Sequence, residues 1–176
     1  MLKKWKKISE ETRFSNNWWK YRIDRYLFPD GKSGEYHYVH TNGSVFIIPQ
    51  TSDGKIIMVR QYRYLNDRFS IEFPGGGVKN SADVENEARK ELIEETGFEG
   101  DLRKIGIFNP YNGVTDEICH VFIAHNLRQS NEFIKDDSEE FELLLLDKQQ
   151  IEEMINSNEI YDGMTLAAWA LAVRHV

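Results

Sequence analysis

Four glutamates on one predicted helix are the residues whose spacing invites chemistry. Glu87, Glu91 and Glu95 follow one another at i, i+4, and Glu94 stands three after Glu91, so four carboxylates crowd one helix face. In an isolated helix each such like-charge neighbour costs about 0.2 to 0.5 kcal/mol, and Glu94 and Glu95 fall in the last turn, where the macrodipole disfavours anions. A bound divalent cation would relieve that strain. Oxygen ligands at this density suit Mg²⁺ or Mn²⁺, hard ions that take carboxylates together with waters and phosphate oxygens. The alternative is a solvated acidic face, the usual fate of a charge run on a helix. Glu85 and Arg89, four apart, make an ordinary stabilising pair, so the ridge does not reflect a shortage of cations.

The helix that must carry these acids runs from Ser81 to Thr96 without Gly or Pro and stops at Gly97. Ser81 is the expected N-cap and Gly97 the expected left-handed terminator. Val84, Ala88 and Leu92 form an apolar stripe beside the acidic one, so the carboxylates should flank a buried seam. Pro74 and the glycines Gly75, Gly76 and Gly77 form a tight loop feeding the helix.

Strands are expected before and after it. The segment up to about Thr12 is polar and reads as irregular. Trp18 to Phe28 and Glu35 to His40, separated by Pro29, Asp30, Gly31 and Lys32, read as a β-hairpin. Ser44 to Gln50 and Lys55 to Tyr62 flank Ser52, Asp53 and Gly54, a second hairpin signal. Their apolar runs are nearly continuous, as in strands covered on both faces. Further strands are expected at Phe69 to Phe73, Leu102 to Phe108, Glu117 to Leu127 and, buried, Glu140 to Leu146, with helices at Lys148 to Asn156 and Met164 to His175. The plan is an α/β layered domain with a mixed sheet.

At 176 residues the chain has the size of one domain, and its single cysteine, Cys119, excludes an internal disulfide framework. The basic N-terminus is followed by no apolar run and no 18-residue apolar stretch occurs, which reads as a cytoplasmic, soluble protein with no membrane partner. A formal charge of −7 argues against nucleic acid as the main partner, though a local metal would still admit a phosphorylated small molecule. There is no Gly-x-Ser-x-Gly elbow and no Gly-Lys-Ser or Gly-Lys-Thr phosphate loop. His37 and His40 point to opposite faces of a strand, as do Cys119 and His120, so no zinc site is expected. The acids Asp136, Asp137, Glu139, Glu140 and Glu142 read as a solvated loop, or as a source of an extra ligand or base if the helix binds metal.

The glycine loop and helix together resemble the Nudix hydrolase signature: Gly, five residues, Glu, seven residues, then Arg-Glu-apolar-x-Glu-Glu-x-Gly-apolar. Here the positions are Gly76, Ala82, then Lys90, Glu91, Leu92, Ile93, Glu94, Glu95, Thr96, Gly97 and Phe98. Ala82 stands where the first Glu is expected and Lys90 where the Arg is expected. Arg60 to Arg63, Ile71 to Gly76, Gly113 to Glu117, Glu140 with Phe141, and Asp162 to Ala172 extend the resemblance to the ADP-ribose and nucleotide-sugar pyrophosphatase branch.

That resemblance implies a Nudix-type α/β/α sandwich with a mixed sheet and an N-terminal β-hairpin, divided into an arm at 1–43, expected at a dimer interface, and a hydrolase domain at 44–176. It implies Mg²⁺ (Mn²⁺ as an alternative) held by Glu91, Glu94, Glu95 and the Gly75 carbonyl. Glu140, or else Glu139, becomes the candidate base beside Glu94, with Arg63, Gly76, Glu117, Trp18 and Arg25 on the substrate. For Arg63 a plain strand-end salt bridge is the competing reading. The implied reaction is hydrolysis of ADP-ribose to AMP and ribose 5-phosphate by a homodimer, with GDP-mannose or another sugar nucleotide as the alternative substrate. A Nudix-fold nucleotide-binding module that has lost turnover is the third reading.

Overall fold

The computed structural model describes residues 3–79, 83–131 and 141–176. It resolves into two compact units, Met1–Asn42 with Asn109–Ile118, and Gly43–Phe108 with Cys119–Val176.

The first unit is an antiparallel sheet of β1 (Lys6–Ser15), β2 (Lys20–Leu27) and β3 (Ser33–His40) in the order β1-β2-β3. The hairpin expected from the sequence is β2 and β3. The segment expected to be irregular is instead β1, an edge strand whose every residue is exposed. Burial periodicity is the sequence signal for a strand, and β1 has none to show. It is held by its ladder to β2 and by ion pairs across it, Lys7 to Asp24 at 2.7 Å and Arg22 to Glu10 at 3.1 Å. Asn16 shapes the β1–β2 turn, its Oδ1 accepting from the amides of Trp18 and Trp19. The 109–118 segment is tied to β3: the Val39 amide donates to the Val114 carbonyl, and His40 Nδ1 lies 2.7 Å from Asp116 Oδ2.

The second unit contains β4 (Ser44–Pro49), β5 (Ile56–Arg63), β6 (Arg68–Glu72), β7 (Gly75–Gly77), α1 (Val84–Thr96), β8 (Phe98–Phe108), β9 (Cys119–Gln129), β10 (Glu142–Leu146), α2 (Lys148–Asn156) and α3 (Gly163–Ala172). A mixed sheet runs β7-β4-β9-β8, with β4 and β9 parallel and the other pairs antiparallel; a second, antiparallel sheet runs β10-β5-β6. β4 is buried throughout because both its faces are covered. Val45 and Ile47 pack with Ala88 and Leu92 of α1, while Phe46 and Ile48 pack with Ala168, Trp169 and Ala172 of α3. Leu92 is fully buried in the seam that seats α1, so Leu92→Ala is expected to cost about 2–5 kcal/mol of stability, read from urea unfolding.

Two expectations are corrected. β4 and β5 are joined by the predicted turn but lie in different sheets, linked only by a bridge between Gln50 and Ile56. The Thr51 amide donates to the Lys55 carbonyl, so the next hydrogen-bonded pair in that register would need an amide donor from Pro49, which has none. The Gln50 amide turns instead to the Ala124 carbonyl of β9. β10 begins at Glu142 and is not buried: it is an edge strand with Leu144 and Leu146 on the core and Leu143 and Leu145 exposed.

Candidate active site

α1 is positioned at both ends by local chemistry. Its N-cap is Asp83, whose side chain accepts from the Glu85 amide; Ser81, the expected cap, and Ala82 lie outside the described residues. Gly97 terminates the helix in the left-handed region at φ 76°, its amide donating to the Ile93 carbonyl. With Ala88 and Leu92 fixed against β4, the rotation of the helix is set, and Glu91 and Glu95 come to lie along the glycine strand β7.

The approach of loop and helix is close enough to require glycine. The Gly75 amide donates to Glu95 Oε2 at 3.0 Å. A Cβ on Gly76 would lie 2.5 Å from Glu91 Oε1, so the Glu91 carboxylate rests directly against the Gly76 backbone. A Cβ on Gly75 would fall onto the Val45 carbonyl oxygen of β4. The glycines serve backbone proximity rather than turn geometry. Glu94 is exposed on the same ridge. Among the described residues, no three His, Cys, Asp or Glu side chains converge as a ready-made metal site. Carboxylate oxygens set against a glycine backbone, Glu91 on Gly76 and Glu95 on the Gly75 amide, are the donor chemistry that a hard divalent cation takes.

Glu87 departs from the ridge. It is 3% exposed, and Lys90 Nζ lies 3.1 Å from its Oε1. Lys90 thus spends its charge on a buried carboxylate of its own helix. Helical spacing alone puts Glu87 in line with Glu91 and Glu95, whereas the packing of α1 turns it inward.

Arg63, at the end of β5, donates from Nε to Glu72 Oε1 at 2.8 Å and from Nη2 to Glu72 Oε2, a two-point pair that leaves Nη1 outside it. Glu72, on β6, is 2% exposed. The pair holds the guanidinium pKa above even its ordinary high value, and the charges of Glu95 and Asp162 add to that effect. Glu72 was not singled out from the sequence; the signal available was one acid between two large apolar residues, Ile71 and Phe73.

The other predicted substrate contacts belong to the first unit. Trp18 is exposed in the β1–β2 turn, Arg25 pairs with Glu35 at 3.1 Å, and the Glu117 carbonyl accepts from Asn109 Nδ2. Glu139 and Glu140 lie outside the described residues.

A mixed sheet with helices packed against it, one of them ridged with carboxylates and lying on a glycine strand, defines a layered α/β domain, and comparison with known proteins makes that specific. The model of the NUDIX domain matches residues 40–162. The chain belongs to the Nudix family and is a Nudix hydrolase, with a divalent metal as the family's general requirement. It is 34% identical over 165 residues to an ADP-ribose pyrophosphatase of Bacillus subtilis (strain 168), covering 93% of this chain and 89% of the relative. It is 32% identical over 138 residues to a GDP-mannose pyrophosphatase of Escherichia coli (strain K12), covering 73% and 72%. A solved ADP compounds hydrolase shares the fold with a TM-score of 0.84 at 20% identity, over 99% of this chain and 95% of that one. The family and the α/β fold expected from the motif are therefore borne out.

Proposed function

We propose that this chain hydrolyses the diphosphate bond of ADP-ribose, adding water across the P–O–P linkage to release AMP and ribose 5-phosphate. The observation that carries the reading is the seating of Glu91 and Glu95 on the Gly75–Gly76 backbone, which sets metal-type ligands on a loop able to face a diphosphate. The 34% identical ADP-ribose pyrophosphatase supports the choice of sugar nucleotide. Glu91, Glu94, Glu95 and the Gly75 carbonyl would hold Mg²⁺, which when bound neutralises the diphosphate and acidifies a water. Arg63 offers Nη1 to a phosphate oxygen while Glu72 holds its other edge. Glu140, or Glu139, is assigned the base, and Gly76 and Glu117 line the substrate.

In the same reading the protein is a cytoplasmic homodimer, with the arm at 1–43 at the interface and 44–176 as the catalytic domain. The supporting feature is the apolar surface of the first unit: Ile8, Phe14 and Trp18 are exposed, and Phe14, Trp19, Tyr21 and Val39 line an open recess of about 430 Å³. Trp18 and Arg25 would reach the base of the nucleotide bound by the partner. Phe14→Asp is expected to convert a dimer to a monomer in light scattering; a wild-type chain already monomeric at tens of micromolar would refute the assembly.

GDP-mannose is the second reading, favoured by the relatives that act on it. Incubation with Mg²⁺ and a panel of sugar nucleotides, resolved by ³¹P NMR, separates the two. AMP from ADP-ribose at the highest kcat/KM is the expected result; GMP as the main product would move the assignment, and no product from any substrate would leave a binding module.

A further inference from the structure

Lys104 of β8 and His120 of β9 meet across their ladder, Nζ lying 2.8 Å from Nδ1. An ammonium has only donors, so Nδ1 accepts and the single proton of the neutral ring sits on Nε2. Burial, and after it the Lys104 charge, hold the imidazole pKa below its ordinary value, so the ring is neutral at pH 7. Other cross-strand cations of this unit find acids: Arg128 reaches Glu99 at 2.6 Å on the same ladder, and Arg60 reaches Glu142 at 3.2 Å. Lys104 finds a base instead, and among the described residues no carboxylate pairs with either member. The pair is left with the remaining N–H groups of Lys104 and the Nε2–H of His120, all donors, around one positive charge. Register places it on the α1 side of the sheet. Val45 lies opposite both Gly76 and His120, and Lys104 lies opposite Phe122; Val45 and Phe122 pack in the core under α1. Residues opposite one another share a face, so the pair stands on the face where Glu91 meets Gly76. His120 is separated from Gly76 by two strand spacings, about 10 Å.

We propose that Lys104 and His120 form a subsite for a phosphate monoester, set along the sheet from the carboxylate ridge. A monoester dianion supplies the terminal acceptor oxygens that this cluster of donors lacks, and its charge complements the unpaired ammonium. The same chemistry is offered by a nucleotide sugar that carries a further phosphate on a ribose hydroxyl, with its diphosphate at the ridge, and by free inorganic phosphate. Either ligand leaves a signature that a plain cross-strand hydrogen bond does not: a dianion beside the ring favours the imidazolium and raises the His120 pKa.

Proton NMR of the imidazole Cε1–H signals of the full chain, titrated with inorganic phosphate in the absence of metal and substrate, tests this apart from turnover. The His120 signal is assigned by its loss in His120→Gln. Phosphate is expected to move that signal and raise its pKa while His125 and His175 stay in place, and Lys104→Gln should weaken the effect about tenfold, the scale of one charge-assisted hydrogen bond. Lys104 is exposed, so its replacement by Gln removes no packing. A His120 signal that ignores phosphate overturns the proposal, as does one that responds equally in Lys104→Gln. Steady-state kinetics then distinguish the sources. If Lys104→Gln lowers kcat/KM about tenfold on ADP-ribose bearing a ribose phosphate monoester and less than about twofold on ADP-ribose, the substrate carries the phosphate. If neither rate changes while phosphate still moves the wild-type signal, the ligand is the free anion. Equal losses on both substrates would place the pair on their shared diphosphate and overturn a separate subsite. Because the titration needs no hydrolysis, failure of the ADP-ribose assignment leaves its result standing.

Discussion

Replacing Glu94 with Gln is expected to lower kcat on ADP-ribose by about a thousandfold or more while leaving the fold intact. Glu94 is exposed on α1, so an isosteric amide removes no packing and opens no cavity. What it removes is one charge from a ridge of like charges, with Glu91 three residues before it and Glu95 beside it. Without metal that change should be neutral or stabilising by about 0.2–0.5 kcal/mol, the cost of one such repulsion. With Mg²⁺ the sign reverses, because the wild-type chain gains stability from ligand binding that the variant forgoes. The measurement is therefore double: steady-state turnover, and the shift of Tm on adding Mg²⁺. A variant with full activity and a full Mg²⁺-induced shift would show that the ridge is not the metal site.

The second large effect is expected at Gly76. An alanine there would place Cβ 2.5 Å from Glu91 Oε1 and 2.6 Å from its carboxyl carbon. The obstacle is the far end of a flexible side chain, so the backbone can stay and Glu91 must swing aside. Displacing a reacting group by about 1 Å costs about a hundredfold in rate, and a loss of that order with little change in unfolding free energy is the expected outcome for Gly76→Ala. Gly75→Ala makes the contrast. Its Cβ meets the Val45 carbonyl oxygen, a backbone atom of β4 that cannot move without disturbing the β4–β7 ladder, and about 1–3 kcal/mol of stability should be lost. Paired kcat and urea-unfolding measurements on both variants separate the roles: an active Gly76→Ala protein would show that Glu91 need not touch the loop, and an undisturbed Gly75→Ala would show that the strands tolerate the extra carbon.

Much of this architecture was legible from local pattern. Val45 to Ile48 and Ile56 to Val59 read as doubly covered strands, and both are buried. α2 spans the predicted residues, its start marked by Asp147, which forms a capping box with Gln150. A strand exposed along its whole length, as β1 is, carries no alternation, and the burial expected of β10 (Glu142–Leu146) exceeds what the structure shows because four consecutive leucines hide a period of two.

The ridge on α1 shows where local reading ends. Helical spacing determined that Glu91, Glu94 and Glu95 share a face and that Gly97 stops the helix, because each depends on residues within a few positions of one another. Only the tertiary structure decided that Glu87 turns inward onto Lys90, that Glu91 and Glu95 rest on Gly76 and Gly75, and that Arg63 is held by Glu72. The contacts of Glu91, Glu95 and Arg63 join different elements, and their geometry follows from strand register and from the angle at which α1 crosses the sheet. Both are settled by packing, which no helical or strand period in the sequence records.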